Sequence, residues 1–409
     1  MKKQSNTPKI RFHNYKELWE CDDLKNIFGT IRNASVGTAT PYYVEKGHFY
    51  LESNNVKNGK INYNSQIFIN DEFYEKQRDK WLKTNDIVMV QSGHVGHTAV
   101  IPKELNNTAD HALIVFTDYK KEVNPHFLNY QFQSSSKRKK LDLISTGNTI
   151  KHILASEMKS FKMDFPTVEE QSAIGSLFRT LDDLLTSYKD NLANYQSLKT
   201  TMLSKMFPKA GRTVPEIRLD GFEGEWEVVN LGTLIENYDE VISGTSGFPI
   251  ATSSRKGLYL QNDYFEGGRT GIDLTLDFHR VPIGYVTYRH MSDDSIFKFN
   301  KNNFETDVLV SKEYPVFISN DSSDIDFLLY HLNNSRLFLR FSTMQKLGGT
   351  RVRLYYKNLI TYKIAVPTVK EQQAIGAYFS ILDNLIATHQ EKISQLETLK
   401  KKLLQDMFI

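Results

Sequence analysis

"PTVEEQSAI" occupies residues 166–174, and "PTVKEQQAI" occupies residues 367–375, 201 positions further on. Aligned at that offset without a gap, residues 166–207 and 367–408 are identical at 17 of 42 positions, far above chance register. The match extends backward, "GNTIKHILASEMKSFKMDFP" (147–166) onto "GGTRVRLYYKNLITYKIAVP" (348–367). A second matched pair, "PKIRFHNYKELWECDDL" (8–24) and "PEIRLDGFEGEWEVVNL" (215–231), lies at offset 207 and superposes Trp19 on Trp226. The chain is therefore two copies of one unit, each a body followed by a long tail. The middles, 147 positions from Trp19 to Pro166 and 141 from Trp226 to Pro367, share little register. The divisions are a body over 1–165, a helix over 166–208, a body over 209–366 and a helix over 367–409.

The tails carry a heptad seam, with apolar steps alternating four and three. In the first tail it runs Ile174, Phe178, Leu181, Leu185, Tyr188, Leu192, Tyr195, Met202 and Met206. In the second it runs Ile375, Phe379, Leu382, Ile386, His389, Ile393, Leu396, Leu403 and Met407, and Lys199 and Lys400 interrupt the seam at the same place. Thr167 with Glu170, and Thr368 with Glu371, have capping-box spacing at the helix starts. Each helix is about 40 residues, or roughly 60 Å at 1.5 Å per residue. Ala173 and Gly175 leave room for close packing by the other helix or a partner. Pairing the helices antiparallel gives a pseudo-twofold chain and sets Tyr188 near His389 at the midpoints.

The bodies read as mixed α/β, with α and β elements together. "DIVMVQSG" (86–93), "HALIVFT" (111–117) and "GYVTYR" (284–289) are expected strands. "NPHFLNYQFQSSSKRKKL" (124–141) and "IDFLLYHLNNSRLFLRF" (325–341) are expected as one helix in each half.

A length of 409 residues suits two or three domains. Net charge is +3 with a pI near 8.5, which permits nucleic-acid binding without demanding it. Cys21 is the single cysteine, so neither an intrachain disulfide nor a cysteine-based zinc site is possible. The start "MKKQSNTPKIRF" lacks the apolar core of a signal peptide, and no run approaches the ~18 apolar residues that span a bilayer. A cytoplasmic location is expected.

No catalytic constellation emerges. P-loop and dinucleotide glycine motifs are absent. None of the 11 prolines adjoins another, which excludes an Asn-Pro-Pro-Phe methyltransferase motif. Glu157 and Lys159 resemble half of a nuclease pair, but Asn358 and Ile360 stand at the repeat positions. No metal site is expected.

Basic loops point to nucleic acid. Lys137, Arg138, Lys139 and Lys140 form a run, although such runs are more often solvated helix ends. Gly-x-Thr turns follow, with Asn148 and Thr149 in the first half and Thr350 in the second. Lys151, Lys346, Arg351 and Arg353 flank them. Small residues let backbone approach phosphates, and cations supply charge. Ser92, His94 and His97, and Arg289 with His290, follow strands and complete the candidate DNA-contacting set.

Taken together, the "P-x-I-R…W-E" openings and "P-T-V-x-E-Q-x-A-I-G" closings resemble those of the specificity subunits of type I restriction–modification systems, over essentially the whole chain. The resemblance implies two target-recognition domains, each reading one half of a bipartite site in double-stranded DNA. It implies an antiparallel coiled coil that fixes the spacer. It also implies docking by modification subunits, two in number, which carry S-adenosylmethionine and methylate adenine. Restriction subunits, working with ATP and Mg²⁺, join the assembly, and no cofactor and no catalysis are expected on this chain. The spacing of half-sites on one face of B-DNA is about 34 Å. A type IIB-like specificity subunit and, from another class, a coiled-coil scaffold with two protein-binding bodies are the alternatives.

Overall fold

The computed structural model describes residues 7–34, 38–147, 151–264, 273–346 and 351–409. It is mixed α/β, with two 38-residue helices, Val168–Lys205 and Val369–Asp406. The chain divides into two compact units, residues 1–189 with 391–409, and residues 190–390. Each unit therefore contains one body, the start of the long helix that follows it, and the end of the other long helix. Among the described residues, no helix is long and apolar enough to cross a membrane.

In the first unit, Glu20–Asp23 pairs antiparallel with Lys162–Phe165, which leads into the long helix. The second unit repeats this with Glu227–Asn230 and Lys363–Val366. The repeated opening and closing motifs are thus the two sides of one clasp. An arginine from the opening locks it. Arg11 Nε and Nη2 donate to the Glu170 carboxylate at 2.7 and 2.6 Å, and Arg218 does the same to Glu371 at 2.7 and 2.6 Å. Both glutamates are buried. This corrects half of the expected capping box. Thr167 Oγ1 does accept from Glu170 N at 3.4 Å, but the Glu170 side chain turns to Arg11 instead of back to the helix start.

The neighbouring glutamine ties the helix to the body. Gln171 Oε1 accepts from Asn124 N at 3.0 Å, and Gln372 Oε1 accepts from Asp324 N at 3.0 Å. Asn124 and Asp324 in turn cap body helices through Phe127 N and Phe327 N. Gly175 and Gly376 sit beneath these caps. A Cβ at either would lie 2.8 Å from the capping oxygen, so the glycine makes room for the body, not for the other long helix.

Each expected body helix is in fact two, Pro125–Gln133 and Ser135–Ile144, then Ile325–Asn334 and Arg336–Met344. The breaks fall at Ser134 and Ser335, whose backbones are extended and whose hydroxyls cap the second helix. A serine competes for backbone hydrogen bonds inside a helix and favours its start.

The first body has a four-stranded antiparallel sheet in the order Phe28–Asn33, Leu113–Tyr119, Ile87–Val90, Thr98–Val100. The second has Ile235–Tyr238, Val316–Ser319, Val286–Tyr288, Phe299–Lys301 in the same order of chain positions. All three expected strands lie in these sheets. The companion sheets differ. One has four strands, Ala109–Asp110, His48–Leu51, Ile67–Ile69 and Tyr43–Val44. The other has three, Val241–Ser243, Asp277–Val281 and Val308–Ser311. This is where the sequence repeat loses register.

The clasp tryptophans anchor matching aromatic clusters. Trp19 lies edge-on to Phe127 at 5.7 Å and to Phe408 at 6.4 Å, and Phe408 stacks on Phe178 at 5.7 Å. Trp226, Phe327, Phe207 and Phe379 repeat the arrangement. Phe408 and Phe207 lie two residues past the ends of the long helices, so within each unit the end of one helix meets the start of the other.

The helix pairs are antiparallel in each unit. In the first, Lys400 reaches Asp182 at 2.6 Å and Lys189 reaches Glu397 at 2.6 Å. In the second, Lys199 pairs with Asp383. The two lysines that interrupt the seam therefore play the same part. Tyr130 and Tyr330 also donate to Asp182 and Asp383, each at 2.8 Å. Ile174, Phe178, Leu181, Leu185, Ile375, Phe379 and Leu382 are buried, while Tyr188, Leu192, Ile386, His389 and Ile393 are half-buried. Within the second unit the His389 ring lies edge-on to Tyr195 at 5.1 Å.

Candidate nucleic-acid interface

In the first body, the loop after Ile87–Val90 is stitched to the segment before the short helix Ala155–Met158. Ile153 N donates to Gln91 O at 2.9 Å and Gly93 N to Lys151 O at 3.1 Å, while Ser92 bridges His152. Thr146 and His152 exchange backbone hydrogen bonds at 2.9 and 2.8 Å. Gly147 follows with φ +101°, a left-handed conformation that glycine adopts without strain.

These contacts bring Ser92, His94, His97 and Lys151 together with Arg138. Arg138 donates to Val95 O at 3.4 Å and lies 3.2 Å from His97 Nδ1. Asn58 N donates to the same nitrogen at 3.1 Å, so Nδ1 is an acceptor and the ring is neutral. Burial and the neighbouring guanidinium push the His97 imidazole down to about 4. Lys151 pairs with Asp142 at 3.0 Å in an exposed contact, and His94 is exposed.

The second body builds the same arrangement. Leu354 N donates to His290 O at 2.8 Å, and Met291–Ser292 pairs antiparallel with Val352–Arg353 ahead of the short helix Tyr356–Leu359. Arg351 donates to Asp293 at 2.9 Å. Arg289, Lys346 and Arg353 are exposed, as are Lys139 and Lys140 in the first body. Asn148, Thr149 and Thr350 lie outside the described residues.

Two candidates change role. Lys137 is fully buried, paired with Asp164 and donating to Lys162 O at 3.1 Å, so it holds the clasp strand and has no surface to offer a phosphate. Its place on the inner helix face, one turn before buried Leu141, was the available signal. His290 is buried beneath Tyr355, their rings stacked at 5.5 Å, and burial lowers its imidazole below the usual range. Glu157, half of the nuclease-like pair, accepts from Leu154 N at 2.8 Å and so caps a helix. Among the described residues, no three His, Cys, Asp or Glu side chains gather as a metal site would require.

The chain is similar to known proteins along its length. The model of the type I restriction modification DNA specificity domain matches twice, over residues 31–194 and 248–398. Two Methanocaldococcus jannaschii proteins named as type I restriction enzyme specificity subunits, MjaX and MjaVIII, are 23% and 21% identical, each over 98% of this chain and 95% of the relative. The EcoBI specificity subunit of Escherichia coli is 23% identical over 49% of this chain and 44% of its own. The crystal structure of the type I S subunit from M. genitalium superposes with a TM-score of 0.60 at 15% identity, covering 98% of this chain and 99% of that one. Two matches to one domain model, on two bodies sharing a clasp and a sheet, establish that the chain belongs to the type I restriction–modification DNA specificity family.

Proposed function

We propose that this chain acts without catalytic groups of its own, as the DNA-reading subunit that directs partner enzymes. Each body reads one half of a bipartite site, and the paired helices hold the interval between halves. The observation that carries this is the repetition of one frame with different surfaces. The clasp, sheet and stitched loop pair recur in both bodies, while the companion sheets and the loop residues differ. Two readers on one chain multiply their discrimination, since the second engagement is intramolecular.

The partners are modification subunits, which supply S-adenosylmethionine-dependent adenine methylation, and restriction subunits, which work with ATP and Mg²⁺. Exposed cations beside the stitched loops suit phosphate contacts. The test is binding by the complex of this chain with its modification subunits, measured on specific and scrambled duplexes across a salt series. A strong preference for one bipartite duplex supports the reading. Equal binding to all duplexes, or none, overturns it.

A further inference from the structure

Exposed apolar side chains occur before and after each Gly-x-Thr sequence, at the same repeat positions. In the first body these are Leu143, 84% exposed, and Leu154, 53% exposed. Their counterparts 201 residues on are Met344, 68% exposed, and Tyr355, 41% exposed. Leu143 and Met344 lie in the last turn of the second body helix of each half. Leu154 and Tyr355 each follow the residue whose N–H seals the stitched loops, Ile153 or Leu354.

Single exposed apolar residues are ordinary. Four at matching positions, on bodies whose surfaces otherwise diverge, need a common cause. Exposed cations flank them along the chain: Lys139, Lys140 and Lys151 in one body, Lys346, Arg351 and Arg353 in the other, with Lys151 and Arg351 paired at the surface to Asp142 and Asp293. That setting argues against a protein core and for a polyanion. Phosphate contacts fix position but carry no sequence. Base edges in the major groove add one apolar group, the thymine methyl, which side chains of this kind can cover.

We propose that Leu143 with Leu154, and Met344 with Tyr355, are the apolar base-contacting residues of the two half-site readers. The inference rests on the reading of the chain as a DNA-specificity subunit and adds residues to it. Tyr355 is held rigid for this by its stack on buried His290.

The experiment uses the complex of this chain with its modification subunits and compares affinity for its own duplex and for a scrambled one. The double variant Leu143→Ser, Leu154→Ser is expected to lose about tenfold or more in specific affinity, on the scale of several buried methylenes. Its scrambled-duplex affinity and salt dependence stay unchanged, and Leu143→Met, Leu154→Met restores discrimination. Specific affinity within twofold of the unaltered complex overturns the inference. Release of the modification subunits by the serine variant also overturns it, by making the patch a protein-docking surface. If the unaltered complex itself fails to discriminate, the underlying reading falls instead.

Discussion

Arg218 grips Glu371 across 153 residues, through Nε at 2.7 Å and Nη2 at 2.6 Å, and the carboxylate it holds is almost entirely buried. Removing one partner of such a pair leaves an uncompensated buried charge, at a cost of about 3–5 kcal/mol. Arg218→Ala should therefore lower the urea midpoint of the protein markedly. Replacing both residues by apolar ones of similar volume should cost far less. Equal losses in the single and double variants would show that the pair itself is not the source.

The glycine of the repeated motif offers a test with an unusual sign. Gly→Ala inside a helix normally stabilises by up to about 1 kcal/mol. At Gly376 the new Cβ would lie 2.8 Å from Asp324 Oδ1 and 3.3 Å from Phe327 N. Asp324 is held at both ends, by Gln372 and by Phe327, and cannot swing aside. Gly376→Ala should destabilise by about 1–3 kcal/mol, as overpacking does, and Gly175→Ala should behave alike. Thermal melting distinguishes the two signs.

Acid sensitivity follows from buried imidazoles. Burial pushes His331 down to about 4, and its Nε2 lies 2.8 Å from the Tyr362 hydroxyl. The unfolded chain takes up a proton near pH 6.5 that the folded form refuses until about pH 4. Stability is therefore constant above pH 6.5 and falls as pH drops toward 4, by roughly a kcal/mol per pH unit for each such group. His97 and His126, also pushed down to about 4 by burial, act in the same direction. Urea midpoints at pH 7.5, 6.5, 5.5 and 4.5 should show the decline, and His331→Gln should flatten part of it. A midpoint that rises on acidification would contradict the assignment.

The basic run separates into different roles. Lys151→Ala, Arg351→Ala and Arg353→Ala should weaken DNA binding on all sequences and each reduce the salt slope by about one where a phosphate contact is lost. Lys137→Met should leave that slope unchanged and lower stability instead, because Asp164 loses its partner.

Much of the frame could be read from residue order alone. The duplicated nonapeptide marks the helix starts, the seam marks their pairing, and the apolar run Ile87–Val90 marks a central strand. What the order of residues concealed was side-chain direction over long separations. Thr167 and Glu170 have capping spacing, yet Glu170 is claimed by Arg11, 159 residues away. Lys137 sits among four consecutive basic residues, and only the helical period separates it from exposed Lys139 and Lys140. Both arginine partners lie in repeated segments, so the shared opening and closing motifs were the one clue that the two segments touch. The loop pairing of Ser92 with His152 had no local signal, because backbone hydrogen bonds between distant loops leave none in composition.

The central claim is that two bodies read two separated half-sites. It is tested most directly by mapping adenine methylation in cells that express this chain with its modification subunits, and again after residues 209–366 are exchanged for the equivalent body of a relative. The expected result is a two-part asymmetric motif with a fixed interval, of which the exchange alters one part and leaves the other and the interval intact. A continuous motif, a change in both parts, or a pattern that persists when this chain is removed would contradict the claim.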